Sequence, residues 1–284
     1  MAPENGGTAP APKSAGWNNE GIALSPPKAV SQAPAALILG HPGHELRVLG
    51  WLRERRPAIA VLTDGSGHGA TSRIDLTTDL VDAAGCRRSA LYGGYTDGDF
   101  YRAMLDGDHD FYLALAERLA AWLVEENVGL VASDAAEGYN PTHDLCAALA
   151  GRAARLAAQR SQRDIAHFTF LLTGPPGAQP AADALVLELG SVALAEKLVE
   201  ARRYAARAGG ALVEEVDTMI RSYGEASFAH EALVPANLPM AFESFAARAP
   251  FYETHGEKQV AAGLYQQVIR YRTHVAPIID ALAA

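Results

Sequence analysis

Short apolar runs, each about the length of one strand, alternate along this chain with segments of helical spacing, and that alternation limits what the chain can fold into. Ala35-Ala36-Leu37-Ile38-Leu39 reads as a strand, Glu45 to Arg56 as a helix and Ala58-Ile59-Ala60-Val61-Leu62 as a second strand, which makes a βαβ unit. The pattern continues with a helix around Ser72 to Ala84, a short strand from Ser89 to Tyr92, and an amphipathic helix from about His109 to Asn127. The strand Val128-Gly129-Leu130-Val131-Ala132 and a helix at about Asp144 to Gln159 follow. Strands that are apolar throughout are buried on both faces, so the expected class is α/β, a mostly parallel sheet with helices on both faces. Two further runs, Ala166 to Leu172 and Ala184 to Leu189, flank the turn-forming Gly174-Pro175-Pro176-Gly177 and extend the sheet. Residues 191–284 read as a mainly helical elaboration, with loops near Ala208-Gly209-Gly210, Pro235 to Pro239 and Pro250 to Gly256.

With 284 residues, 49% of them hydrophobic, the chain has material for one large core, placed here at residues 34–190. Residues 1–33 are rich in Ala, Pro, Gly, Ser and Asn and read as a flexible leader or a loosely docked arm, with Trp17, Ile22 and Leu24 the residues able to tack it to the body. A formal charge of −9 argues against a partner nucleic acid, which needs clustered Lys and Arg. The two cysteines, Cys86 and Cys146, lie outside any CxxC arrangement and read as small core fillers. No apolar run spans a bilayer and no basic segment leads into one at the N-terminus, so a cytoplasmic location without membrane contact is expected. Oligomeric state is left open.

Two polar strings stand at strand ends, where open α/β sheets bind their ligands. Gly40-His41-Pro42-Gly43-His44-Glu45 begins where the first strand stops, and Glu137-Gly138-Tyr139-Asn140-Pro141-Thr142-His143-Asp144 follows the strand finishing at Ala132. His41, His44 and His143 from two such loops would make a three-ligand site with one position open, the pattern of catalytic zinc. His68, His109, His167, His230, His255 and His274 are read as surface or hydrogen-bonded residues.

These strings resemble motifs of the LmbE/PIG-L family of N-deacetylases, which carry A-H-P-D-D-E after the first strand and H-P-D-H after the fourth. Leu62-Thr63-Asp64-Gly65-Ser66-Gly67 is similar to the family's Thr-x-Gly-x-Gly loop, Arg73 to its Arg in the following helix, and Thr96-Asp97-Gly98 to its Asp-Gly after strand three. The resemblance covers about residues 35–200 and implies a Rossmann-like core, a zinc ion or another divalent metal on His41, His44 and His143, and an amino-sugar substrate. Two positions depart from the family. Its general base, the first Asp of A-H-P-D-D-E, is Gly43 here, and the first His of H-P-D-H is Asn140, which donates a hydrogen bond but cannot shuttle a proton.

Metal alone lowers the pKa of bound water to about 7, while a general base adds roughly a hundred- to ten-thousand-fold. A replacement is therefore sought among Glu45, Asp64, Asp134, Glu137 and Asp144. Glu45 matches the family's own Glu and suits ligand orientation; Asp64 and Glu137 stand where either can face the open position. Asn140 is assigned to the oxyanion, and Arg73, Asp97 and Tyr139 to substrate. The segment from Phe251 to Lys258 either packs as an ordinary helix or roofs the cleft. The implied activity is hydrolysis of a carbon-nitrogen bond in an N-acetylated sugar or sugar-containing metabolite. A catalytically silent relative that keeps the metal and the cleft is the alternative.

Overall fold

The computed structural model describes residues 32–67, 71–177 and 183–284. His68, Trp17, Ile22, Leu24 and nearly all of the leader lie outside these described residues. The strands are β1 (Ala35–Leu39), β2 (Ala58–Val61), β3 (Arg87–Arg88), β4 (Leu130–Asp134), β5 (Ala166–Phe170), β6 (Leu185–Glu188) and β7 (His230–Pro235). They form one seven-stranded sheet in the order β3-β2-β1-β4-β5-β7-β6. The first five strands run parallel, and β7 is antiparallel to both β5 and β6. The helices are α1 (Leu49–Arg55), α2 (Ile74–Ala83), α3 (Asp97–Asp106), α4 (His109–Glu125) and α5 (Pro141–Ser161). They continue with α6 (Ser191–Ala208), α7 (Ala211–Tyr223), α8 (Leu238–Ala247), α9 (Phe251–Ala261) and α10 (Ala276–Ala283). This is the expected α/β class. Among the described residues no helix is long and apolar enough to cross a membrane.

Side chains alternate across a strand, so one apolar run serves two cores. Ala36 and Ile38 of β1 pack with Leu62, Val131 and the buried faces of α4, α5 and α10, where Leu115, Leu119, Leu149 and Ile278 sit. Leu37 and Leu39 face the other way, onto Leu49, Leu52, Val81 and Phe168. Helices thus cover both faces, and the central strands are wholly buried.

Three elements differ from the sequence reading. The strand expected at Ser89 to Tyr92 is only Arg87–Arg88, because the chain bends away after the Ser89 amide bonds the Ile59 carbonyl at 2.8 Å. Helix α3 was not foreseen; it is fixed by a capping box between Thr96 and Asp99. Strand β7 lies in the segment read as helix and loop, and it separates β6 from β5. Its buried positions are Glu231 and Leu233, and an inward carboxylate hides the apolar alternation that marks a strand.

The chain leaves β1 toward β2 on one side and leaves β4 toward β5 on the other, although β1 and β4 are neighbours. Such a reversal opens a crevice beyond the strand ends, where ligands bind. Both histidine loops leave from this point.

Candidate active site

His41 follows β1, His44 opens a short 3-10 turn (His44–Val48), and His143 lies in the first turn of α5. The ring centroids of His44 and His143 are 4.5 Å apart, those of His41 and His143 5.2 Å, and those of His41 and His44 5.4 Å. Each loop is built for this. Asn140 caps α5, its Oδ1 accepting the Thr142 amide at 2.8 Å, and Pro141 takes the first helical position. Gly40 gives the backbone room: its amide donates to Asp134 Oδ2 at 2.7 Å, and a Cβ there would stand 2.9 Å from the same oxygen.

Two carboxylates steady the rings. Asp97 Oδ1 and Thr63 Oγ1 meet His41 Nδ1 at 3.0 Å and 2.8 Å, and Asp134 Oδ2 meets His44 Nδ1 at 2.8 Å. Carboxylates behind metal-ligating imidazoles fix tautomer and orientation in this way. Burial raises the Asp97 carboxyl, but the His41 ring, the Thr63 hydroxyl and the Gly67 amide outweigh it and hold the group well below the usual carboxylate range. Burial pushes Asp134 up to about 7. Burial, then the neighbouring imidazoles, lower His44 and His143 well below the ordinary histidine value, so both rings are neutral and able to ligate. His41 Nε2 and His143 Nδ1 are buried without a hydrogen-bond partner.

Buried, unpartnered nitrogens on His41 and His143, with the His44 ring beside them, are a donor set that fits a divalent ion. The rings nevertheless touch one another edge-on, and among the described residues no group of His, Cys, Asp and Glu already stands as a formed ligand cluster. The fit is thus one of chemistry and proximity.

The rings form part of the wall of a cavity of about 340 Å³. Of the site residues expected from sequence, Arg73, Asp97, Tyr139 and Asn140 line it with the histidines. Arg73 Nε donates to the Gly65 carbonyl at 2.8 Å, and Asn140 Nδ2 donates to the Tyr101 hydroxyl at 3.3 Å. Burial raises the Tyr101 hydroxyl to about 12, so it stays a donor.

The other candidates are absent from that wall. Glu45 is fully buried beneath the loop, its Oε2 accepting the Gly43 amide at 2.9 Å, and burial raises it to about 7. Asp64 turns its own loop, accepting the Ser66 amide at 2.9 Å. Glu137 points away to clamp the segment after β5, taking the Leu172 amide at 2.6 Å and the Thr173 hydroxyl at 2.7 Å. Asp144, raised to about 8 by burial, holds the Glu137 and Gly138 amides at 3.0 Å. Asp64 and Glu137, expected to face the open position, do not line this cavity: Asp64 Oδ1 accepts the Ser66 amide in its own loop, and Glu137 is held by the amides after β5.

Two further findings concern the missing base and the roof. Gly43 has φ +101°, and a Cβ built there would lie 3.1 Å from the ring of Tyr204 on α6. Tyr204 therefore fills the space beside the position where the resembling family has its base. Residues of α6 and α7 line the cavity, and among the described residues none of Phe251 to Lys258 does; Phe251 stacks on the lining Tyr139 at 5.1 Å. The α6 and α7 lining includes Glu215, exposed at the mouth, whose carboxyl is raised by the surrounding protein against the pull of Arg73. Sequence reasoning missed it because it stands in an ordinary amphipathic helix.

No protein-family model matches the sequence, and no curated protein does. Among solved structures, a deacetylase–teicoplanin complex from the teicoplanin biosynthesis pathway matches with 14% identity and a TM-score of 0.50, covering 71% of this chain and 97% of that one. A zinc-inhibited form of teicoplanin deacetylase matches with 14% identity and a TM-score of 0.49, covering 72% and 99%. A conserved protein from Thermus thermophilus matches with 19% identity and a TM-score of 0.47, covering 72% and 94%. At such identity the likeness to the teicoplanin-bound structure shows a shared fold.

Proposed function

We propose that the chain is a metal-dependent hydrolase of carbon-nitrogen bonds that removes the acyl group from an N-acylated amino sugar or a metabolite bearing one. The observation that carries this reading is the convergence of three imidazoles at the sheet's switch point, two held by buried carboxylates and two with buried, unpartnered nitrogens. His41, His44 and His143 would hold zinc or another divalent ion, which when bound supplies the Lewis acidity that polarises a carbonyl and acidifies water to about pKa 7. The fold shared with a teicoplanin deacetylase agrees with this reading.

The chain's own residues take the remaining tasks. Asn140 Nδ2 and the Tyr101 hydroxyl present donors beside the histidines, suited to an amide carbonyl that gains negative charge. Arg73 offers its guanidinium to a hydroxyl or anionic group of the sugar. Among the described residues Asp97 and Glu215 are the carboxylates that line the cavity, and Asp97 is engaged by His41. Glu215 is left to pass a proton between the amine leaving group and solvent, a role favoured by its raised pKa. We expect Glu215→Gln to lower kcat by roughly a hundredfold, the low end for general acid-base groups because the residue stands at the mouth. Unchanged metal content in that variant, checked alongside steady-state kinetics, separates this role from a structural one.

The test of the whole reading is elemental analysis of protein purified without chelator, wild type beside His44→Ala and His143→Ala, with acyl release from N-acyl glucosamines assayed on the same samples. About one zinc per chain, lost with activity in both variants, is expected. Metal-free wild-type protein that gains neither metal nor activity on zinc addition would sink the proposal. The catalytically silent alternative is favoured by one observation, Tyr204 packed beside Gly43, and gains if metal binds but no amide is cleaved.

A further inference from the structure

We infer that the cavity carries a carboxylate subsite at Arg47, so that the ligand whose amide meets the histidines also bears a carboxylate; as a statement about substrate, this rests on the amide-hydrolase reading above. His44 and Arg47 stand three residues apart in one 3-10 turn, where positions i and i+3 lie on the same side, and both line the cavity. The guanidinium is fixed in place. Its Nε donates to the Leu171 carbonyl at 3.0 Å, its Nη2 donates to the Gly174 carbonyl at 2.7 Å, and the centre of the Phe228 ring lies 5.6 Å from Cζ. Nη1 is buried without a hydrogen-bond partner.

The charges around the cavity single this residue out. Besides Arg47, the lining includes the cations Arg73 and Lys197 and the carboxylates Asp97 and Glu215. Lys197 Nζ meets Glu231 at 2.6 Å, Asp97 is engaged by His41, and Glu215 feels the pull of Arg73. Arg47 has two carbonyls as its partners and, among the described residues, no carboxylate. Glu231 is spent on Lys197 and the Gly50 and Trp51 amides, and Glu137 on the Leu172, Thr173 and Gly174 amides. Burial lowers the guanidinium to about 10, which leaves it charged at neutral pH. A charge drawn out of water with no counter-charge is costly, and a ligand carboxylate would answer it with a charge-assisted hydrogen bond. One unanswered cation matches the single charge of a carboxylate, whereas a phosphate monoester brings about −1.5 to −2 and would leave an excess. Water is the competing partner, since Arg47 also borders a hollow of about 30 Å³ that has room for little else.

The experiment is titration calorimetry on the whole chain, metal-free, with two pairs of probes that differ only in charge. N-acetylmuramic acid and its carboxamide carry the group on the sugar side of the amide; N-succinylglucosamine and N-succinamoylglucosamine carry it on the acyl side. In one pair the acid is expected to bind about 10- to 150-fold tighter than the carboxamide, the range for a hydrogen bond to a charged group, and that pair identifies the side. Arg47→Gln is expected to abolish the preference and Arg47→Lys to keep part of it. Arg73→Gln, which leaves Arg47 intact, should leave the acid-to-amide ratio unchanged. Acid and carboxamide bound alike in both pairs would assign Nη1 to water and overturn the inference, as would a preference lost in Arg73→Gln. Inorganic phosphate that displaces the acid more strongly than acetate does would overturn the choice of carboxylate. An acid preference without hydrolysis by the zinc-loaded protein upholds the subsite and rejects only the hydrolase reading.

Discussion

Glu231→Ala is expected to lose about 3–5 kcal/mol of folding stability, the range for removing one partner of a buried ion pair. Its carboxylate is fully buried and answers three groups: Lys197 Nζ at 2.6 Å, the Gly50 amide at 2.8 Å and the Trp51 amide at 2.7 Å. Lys197 is buried too, and burial pulls its amine below the ordinary lysine value while Glu231 opposes the shift. Truncating Glu231 therefore strands a buried ammonium and two amide donors at the start of α1. Because Lys197 also donates to the Arg47 carbonyl at 2.8 Å, this one carboxylate fastens α6 to the segment following His44. Urea unfolding of Glu231→Ala, Lys197→Met and the double variant checks it. The double variant should lose less than the sum of the singles, since it leaves no uncompensated charge. Strict additivity would mean the pair is not coupled.

Gly43→Asp, which writes the resembling family's base into this sequence, is expected to destabilise the protein by about 2–6 kcal/mol and to give no gain in activity. A φ of +101° is a conformation that costs a side chain roughly 1–3 kcal/mol. The new Cβ would also meet Cε1 of Tyr204 at 3.1 Å and its hydroxyl oxygen at 3.2 Å, and overpacking typically costs about 1–3 kcal/mol more. Tyr204 is buried, and its hydroxyl lies 3.3 Å from Thr77 Oγ1, which in turn accepts the Gly43 amide at 3.0 Å. The ring cannot retreat without unmaking that chain of contacts. Adding Tyr204→Ala to Gly43→Asp should recover the overpacking part of the loss but not the φ part. Thermal unfolding of the single and double variants, with hydrolysis measured on both, provides the check; a stable, faster Gly43→Asp enzyme would refute the argument.

Both sites also mark how far the residues could be read in advance. The uniformly apolar runs at β1, β2 and β4 announced buried parallel strands, because a strand covered on both faces has no polar side to show. The strings around His41 and His143 announced side chains that meet, because each is short, local and set at a strand end. Arg73, Asp97, Tyr139 and Asn140, singled out beside those strings, line the same cavity.

What the sequence could not state was decided between distant segments. Asp134 reaches His44 across 90 positions and Gly40 across 94, and Glu231 reaches Gly50 across 181. Nothing near Glu137 says that the Leu172, Thr173 and Gly174 amides will claim its carboxylate. Periodicity reports which face of an element is buried, never which partner buries it. So the fold class and the histidine loops were written locally in the residues, whereas β7, the Tyr204 ring beside Gly43 and the α6 and α7 side of the cavity arise only when packing brings remote side chains into contact.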